Sequence, residues 1–296
     1  MLECSGCGAT LAFRGSALSL RCSYCDSPMI DEERAGASLE RVIPFAVPER
    51  GALDHVRTFL EGRWLAPADL SQVRIHARGL RAVLVPMWAY RGVVRSEYRA
   101  QVGLHWYEEI ERRDKAGNKV TKQALRTEWF ALGGSSAWQV EDHLISASVG
   151  LGSDETAALG RYDLGRALDY DPRVLAGVEA ELPSVSGEHG DLAAVEELRR
   201  LERNRLVAEL LPGDRNRLDH IDTKVRLDER QLVLVPVWIA TYRYRDRVRR
   251  VLVNGQTGLA SGSVPLDRVK VAALVLAGLA LVGLLWWLAH TLEVFA

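Results

Sequence analysis

No cysteine follows Cys25 in a chain of 296 residues. A disulfide framework spread over a secreted domain is thereby excluded, and a reducing compartment is expected. A surplus of one charge is also missing: 38 Lys and Arg stand against 39 Asp and Glu, for a formal net charge of -1. No global field drives such a chain onto nucleic acid or a membrane surface. The sequence has no Gly-rich loop ending in Gly-Lys-Ser or Gly-Lys-Thr, no Gly-x-Ser-x-Gly elbow and no His-Glu-x-x-His pair. Phosphate-loop and common hydrolase chemistries therefore have no support. The opening residues, Met1-Leu2-Glu3-Cys4-Ser5-Gly6-Cys7, lack a basic stretch and an apolar one, so no cleavable signal peptide is expected.

One long apolar run stands out against this balance. Val271 to Ala289 reads VAALVLAGLALVGLLWWLA, without a charge, an amide or a hydroxyl. As a helix it reaches about 28 Å, the thickness of a bilayer's hydrocarbon core. A transmembrane helix over 268–290 is expected. Arg268 and Lys270 precede the run, whereas His290 and Glu293 follow it, which marks the N-terminal side as cytoplasmic. Trp286 and Trp287 suit the lipid–water interface at the far end. The expectation is a tail-anchored, single-pass protein of the inner (plasma) membrane that contacts lipid through this helix and keeps the bulk of its chain in the cytoplasm.

The cysteines form two pairs, Cys4-x-x-Cys7 and Cys22-x-x-Cys25, each followed by small or turn-forming residues. Two such knuckles can hold one zinc ion tetrahedrally, with Zn–S distances of about 2.3 Å, and a zinc ribbon over residues 1–30 is expected. Leu11-Ala12-Phe13 and Leu18-Ser19-Leu20 alternate around Arg14-Gly15-Ser16, predicting a small hairpin between the knuckles. Four thiolates leave no open position for water or substrate, so the Zn2+ is structural, and folding of the segment depends on it. A thioredoxin-like redox role would need one pair at a helix N-terminus, whereas both pairs sit in a hairpin context. Glu3 and Asp26 cancel Arg14 and Arg21, which argues against nucleic acid and for protein contact.

Residues 31–40 are small and polar and read as a linker; the body spans 41–266. Within it, Val83-Leu84-Val85-Pro86-Met87-Trp88 matches Val233-Leu234-Val235-Pro236-Val237-Trp238. Each copy follows an amphipathic pattern, carried by Leu53, Val56, Leu60 and Trp64 in the first and by Leu192, Val195, Leu198 and Leu206 in the second. A duplicated, mostly antiparallel α+β body is expected, with units at about 41–130 and 190–266, each proline at a bulge or strand edge and each tryptophan turned into the core. Leu104 to Arg113 and Lys119 to Phe130 flank a turn and predict a hairpin. Asn254-Gly255 suits a tight turn with positive φ.

Candidate chemistry is sparse. Glu141-Asp142-His143 and Asp219-His220-Ile221-Asp222 could supply a metal ligand or a general base, but carboxylates beside a histidine more often cap and turn, and no enzymatic activity is expected. Arg243, Arg245, Arg247 and Arg249 lie at strand spacing, predicting four guanidinium groups on one sheet face. Such a stripe either protects an edge or contacts anionic headgroups or an acidic partner.

The ribbon cysteines, Pro86-Met87-Trp88, Thr127-Glu128-Trp129, Glu141-Asp142, Pro236-Val237-Trp238 and Val253-Asn254-Gly255-Gln256-Thr257-Gly258 with Pro265 occur in an order that resembles a bacterial family of zinc-ribbon (transcription-factor-IIB-type) membrane proteins, often labelled primosomal-protein-N′-like or helicase-like. The helicase label has no support in a chain without a phosphate-binding loop. The resemblance implies association with membrane-stress systems that include phage-shock-protein-A-like and flotillin-like (SPFH) partners. The function expected is therefore a non-enzymatic, membrane-anchored adaptor or scaffold that recruits cytosolic partners to the inner leaflet. The alternative is a membrane-tethered nucleic-acid-binding protein of replication or DNA defence.

Overall fold

The structure is a computed structural model that describes residues 2–3, 10–11, 17–21, 28–30, 39–67, 69–70, 79–113, 119–175, 178–245 and 247–295. Among the described residues twelve strands run in chain order as β1 (Leu2–Glu3), β2 (Thr10–Leu11), β3 (Ala17–Arg21), β4 (Pro28–Ile30), β5 (Arg41–Val42), β6 (Leu80–Arg113), β7 (Lys119–Ser146), β8 (Leu168–Asp169), β9 (Glu179–Glu181), β10 (Arg215–Tyr244), β11 (Arg247–Asn254) and β12 (Ala260–Gly262). The described residues also include the α-helices α1 (Glu49–Glu61), α2 (Ser153–Ala158), α3 (Gly187–Arg205) and α4 (Arg268–Phe295). The class is α+β, built on one large, mostly antiparallel sheet.

Contacts divide the chain into two units. The first comprises Met1–Val93, Gln139–Glu197 and Val225–Pro265; the second comprises Val94–Trp138, Leu198–Lys224 and Leu266–Ala296.

In the first unit, β6 and β10 pair at the centre. Gly79 lies against Thr241 and Gly92 against Arg226 and Leu227, so the strands run antiparallel and bring 83–88 alongside 233–238. The two copies of the Val-Leu-Val-Pro-x-Trp motif thus face each other, and their surroundings match. Val83 and Leu84 pair in parallel with Glu179 and Ala180, while Val233 and Leu234 pair in parallel with Arg41 and Val42. Ala147 N–H donates to the Pro86 carbonyl and Gly255 N–H to that of Pro236. The Ala147 carbonyl accepts from Ser184 and Val185, and the Gly255 carbonyl from Ala46 and Val47. Trp88 Nε1 donates to the Val185 carbonyl at 3.0 Å, and Trp238 Nε1 to the Val47 carbonyl at 2.9 Å. Each indole holds the chain two residues ahead of a helix, α3 in one case and α1 in the other.

The helices bury matching positions. Ala52, Val56 and Leu60 of α1 are buried, as are Ala194 and Leu198 of α3, with Gly190 where α1 has Ala52. The interior of the first unit differs from the sequence expectation in this respect: Trp64 and Leu192, expected on the buried stripes, are 67% and 71% exposed. Volumes compensate across the two packings. Tyr90 is fully buried beneath α3, and a Cβ on Gly190 would meet its hydroxyl at 2.5 Å. Ala240, two residues past Trp238 as Tyr90 is past Trp88, leaves room for Ala52. The opposite sheet face buries Val83, Val85, Met87, Val233, Val235 and Val237 under the segment 151–167. Each such aliphatic side chain contributes about 1.5–3 kcal/mol.

Within the second unit, Gly134 lies against the Tyr98 ring and Gly103 against Thr127 and Trp129, so β6 and β7 form an antiparallel hairpin. Ala100, Val102 and Leu211 are buried together there. The helix α4 begins after Pro265 with Asp267 as its cap, whose Oδ1 accepts from Val269 N–H at 2.9 Å.

Cys4, Cys7, Cys22 and Cys25 lie outside the described residues, as does 31–38 of the linker. Of the flanking backbone, β1 pairs with β2 and β3 with β4, both antiparallel. The hairpin expected between 11–13 and 18–20 rests in part on residues 12–16, which lie outside the described residues.

Candidate functional site

Asp142 and His143 are neighbours in β7 but serve different partners. Asp142 has a left-handed φ of 54°, the conformation of a bulge residue, and its Oδ1 lies 3.5 Å from Arg91 Nε. Arg91 also reaches Glu229 at 3.6 Å. These groups line a cavity of about 10 Å³ together with Arg41, Tyr90 and Gln231. That is the space of about one water, too small for a substrate. Among the described residues, Arg41 Nε is buried without a hydrogen-bond partner. His143 is 14% exposed, and its Nε2 stands 3.9 Å from Glu197, beyond hydrogen-bonding distance. Burial lowers the His143 pKa below the usual imidazole value, with the Glu197 charge opposing. The ring is neutral at neutral pH.

The second cluster lies on the N-terminal half of β10. Asp219, His220 and Asp222 are exposed, and Asp219 sits 3.6 Å from Arg217. Among the described residues no group of three His, Cys, Asp or Glu side chains is placed to hold a metal ion.

The arginines do not form one stripe. A tight turn at Arg245, with φ 52°, separates β10 from β11, and Tyr242 pairs with Arg249, Arg243 with Val248 and Tyr244 with Arg247. Opposed residues share a face, so Arg247 and Arg249 lie on one side and Arg243 on the other, with Arg245 at the tip. The even spacing reads as one strand because the turn at Arg245 carries no glycine, proline or asparagine to mark it. Arg249 and Arg250 line an open groove of about 550 Å³ beside Asp154, Glu155, Ser261 and Ser263. Arg250 Nε and Nη2 both donate to the Glu155 carboxylate, so the groove carries charge of both signs.

Two buried polar centres lie apart from the expected clusters, Glu202 unread in the sequence and Asn254 read only as a turn residue. Glu202 is fully buried in the second unit, where its carboxylate accepts from Ser96 Oγ at 2.5 Å, Trp138 Nε1 at 2.7 Å and Arg205 Nε at 3.1 Å. Arg205 also donates to Ser136 Oγ at 2.5 Å and stacks over the Trp138 ring. Burial on its own raises the Glu202 pKa, but the donors outweigh it and hold the carboxyl below its usual range. Its signal was present: Leu198, Glu202 and Leu206 form a buried i, i+4 stripe with a charge in the middle.

Asn254 is the second, buried in the first unit. Its Nδ2 donates to the carbonyls of Leu159 and Arg161, while its Oδ1 accepts from Gln256 and Thr257 N–H. The side-chain amide is thus fully used in tying β11 to the loop at 159–163. The turn needs its positive φ at Gly258, at 82°, and not at Gly255. Gly255 is required for space instead, since a Cβ would meet Phe45 at 2.7 Å and Pro236 at 2.8 Å.

Apolar surface is exposed as well. Arg268–Leu288 is a 21-residue stretch of α4 with none of its residues buried, long and apolar enough to cross a membrane. Its length is about 32 Å. Leu276 is 65% and Trp286 69% exposed. Elsewhere in the second unit, Trp106, Trp129 and Phe130 are each close to half exposed. Comparison with protein-family models, with curated proteins and with solved structures finds no match in any of the three.

Proposed function

We propose that the protein is a membrane-anchored, non-enzymatic scaffold whose α4 spans the inner membrane and whose remaining mass faces the cytoplasm. The observation that carries this reading is the unburied apolar face of α4 on every side. In water, each of its exposed leucines would forgo about 1.5–3 kcal/mol, so lipid is the environment that this helix fits. Arg268 and Lys270 at its start suit the cytoplasmic side. The N-terminal cysteines hold one structural Zn2+, and the ribbon so formed presents a surface to protein partners. The body is a duplicated unit, and the matched hydrogen bonds of Trp88 and Trp238 support that origin. Its polar centres tie segments together instead of opening onto a substrate-sized cleft.

The motif resemblance suggests phage-shock-protein-A-like or flotillin-like partners. Arg243, Arg245 and Arg247, exposed around a hairpin tip, suit anionic headgroups or an acidic partner surface, with Arg249 partly buried behind them. Affinity capture of the tagged full chain from detergent extracts tests the scaffold reading. A partner recovered in stoichiometric amount, and lost when Cys4 and Cys22 are replaced by serine, is expected. Recovery of the chain alone would contradict it.

A further inference from the structure

The second unit leaves one strand half-paired. Among the described residues β7 pairs with β6 and with no other strand, so its outer edge offers a row of unpaired N–H and C=O groups. Such edges invite another strand, and proteins that must stay apart protect them with charge, proline or a covering segment. Over Trp129–Trp138, Trp-Phe-Ala-Leu-Gly-Gly-Ser-Ser-Ala-Trp, this edge has no charge and no proline. Before it, Lys119, Arg126 and Glu128 supply the protection that the run lacks. Trp129, Phe130 and Leu132 are 45%, 46% and 37% exposed, and Ala131 and Ala137 are exposed as well.

We propose that this edge pairs antiparallel with the same strand of a second copy of the chain, about a two-fold axis at Gly134. Antiparallel pairing of identical strands is isologous: it consumes both edges at once and closes the assembly at two copies. The run fits itself in this register. Gly134 and the adjacent Gly133 place no bulk at the axis, and Ala131 falls opposite the partner copy's Ala137. Ser136 and Trp138 face α3, where they meet Arg205 and Glu202, and strand alternation puts Phe130 and Leu132 on that same face. Phe130 then lies opposite Trp138 of the other copy, twice by symmetry, as an aromatic cross-strand pair. No charged side chain of the run is buried by the contact.

Mass measurement of the full chain in detergent, by light scattering with the detergent contribution subtracted, tests the proposal. The unaltered chain is expected to have the mass of two copies. Ala131→Lys combined with Ala137→Lys sets like charges opposite each other at exposed positions and is expected to give single copies with an unchanged circular dichroism spectrum. Ala131→Lys combined with Ala137→Glu sets opposite charges together in the same register and is expected to restore the pair. A single copy for the unaltered chain, a persistent pair in the double-lysine variant, or no restoration in the lysine–glutamate variant would each overturn it.

Discussion

At position 202 a carboxylate occupies a helix face whose neighbours Leu198 and Leu206 are fully buried. It is stable there because Ser96, Trp138 and Arg205 supply donors to the ionised form. Glu202→Gln removes the charge and leaves Arg205 without its partner, at an expected cost of about 3–5 kcal/mol, measured by denaturant unfolding in detergent. Because the folded pKa is depressed, this stabilisation is complete above the usual carboxylate pKa of about 4.3 and declines as pH falls through the lower folded value. His143 also has a depressed folded pKa, from burial. Between that value and the unfolded value of about 6.5, the unfolded chain binds a proton that the folded chain refuses. Stability is therefore expected to fall as pH drops below about 6.5, and His143→Gln should flatten the unfolding midpoint across that window.

Among the elements, the matched pair Trp88 and Trp238 makes the sharpest comparison. Each indole donates to a carbonyl ahead of a helix, so Trp88→Phe and Trp238→Phe should destabilise to similar extents, by about 1–3 kcal/mol from the acceptor left unpaired. Gly190→Ala, with a Cβ 2.5 Å from the Tyr90 hydroxyl, is expected to cost about 1–3 kcal/mol, and less than half of that in a Tyr90→Ala background, because Ala52 already stands beside Ala240. The Val-Leu-Val-Pro-x-Trp match was legible in the sequence because tryptophan and proline are rare enough to be seen twice. The helix stripes were half legible: Val56, Leu60 and Leu198 are buried as expected, but Ala52, Gly190 and Ala194 carry too little apolar surface to register as a stripe. The arginine spacing misled for the converse reason. An alternating pattern continues unchanged through the turn at Arg245, so periodicity alone does not show where β10 ends.

For the molecule as a whole, two expectations remain to be measured, one at each end. Zinc analysis of the purified chain should give one ion per copy and fall to background in the Cys22→Ser variant, since three thiolates hold zinc far less tightly at neutral pH. At the other end, apolarity made α4 the most legible element of the chain, and Leu276 and Val282 are exposed in it. The central claim is that lipid covers it. Alkaline carbonate extraction of membranes from cells producing the full chain is the most direct measurement, run beside a variant with Leu276→Lys, Leu279→Lys and Val282→Lys. The account predicts that the unaltered chain stays in the membrane pellet and that the triple-lysine variant moves to the supernatant; release of the unaltered chain into the supernatant would contradict it.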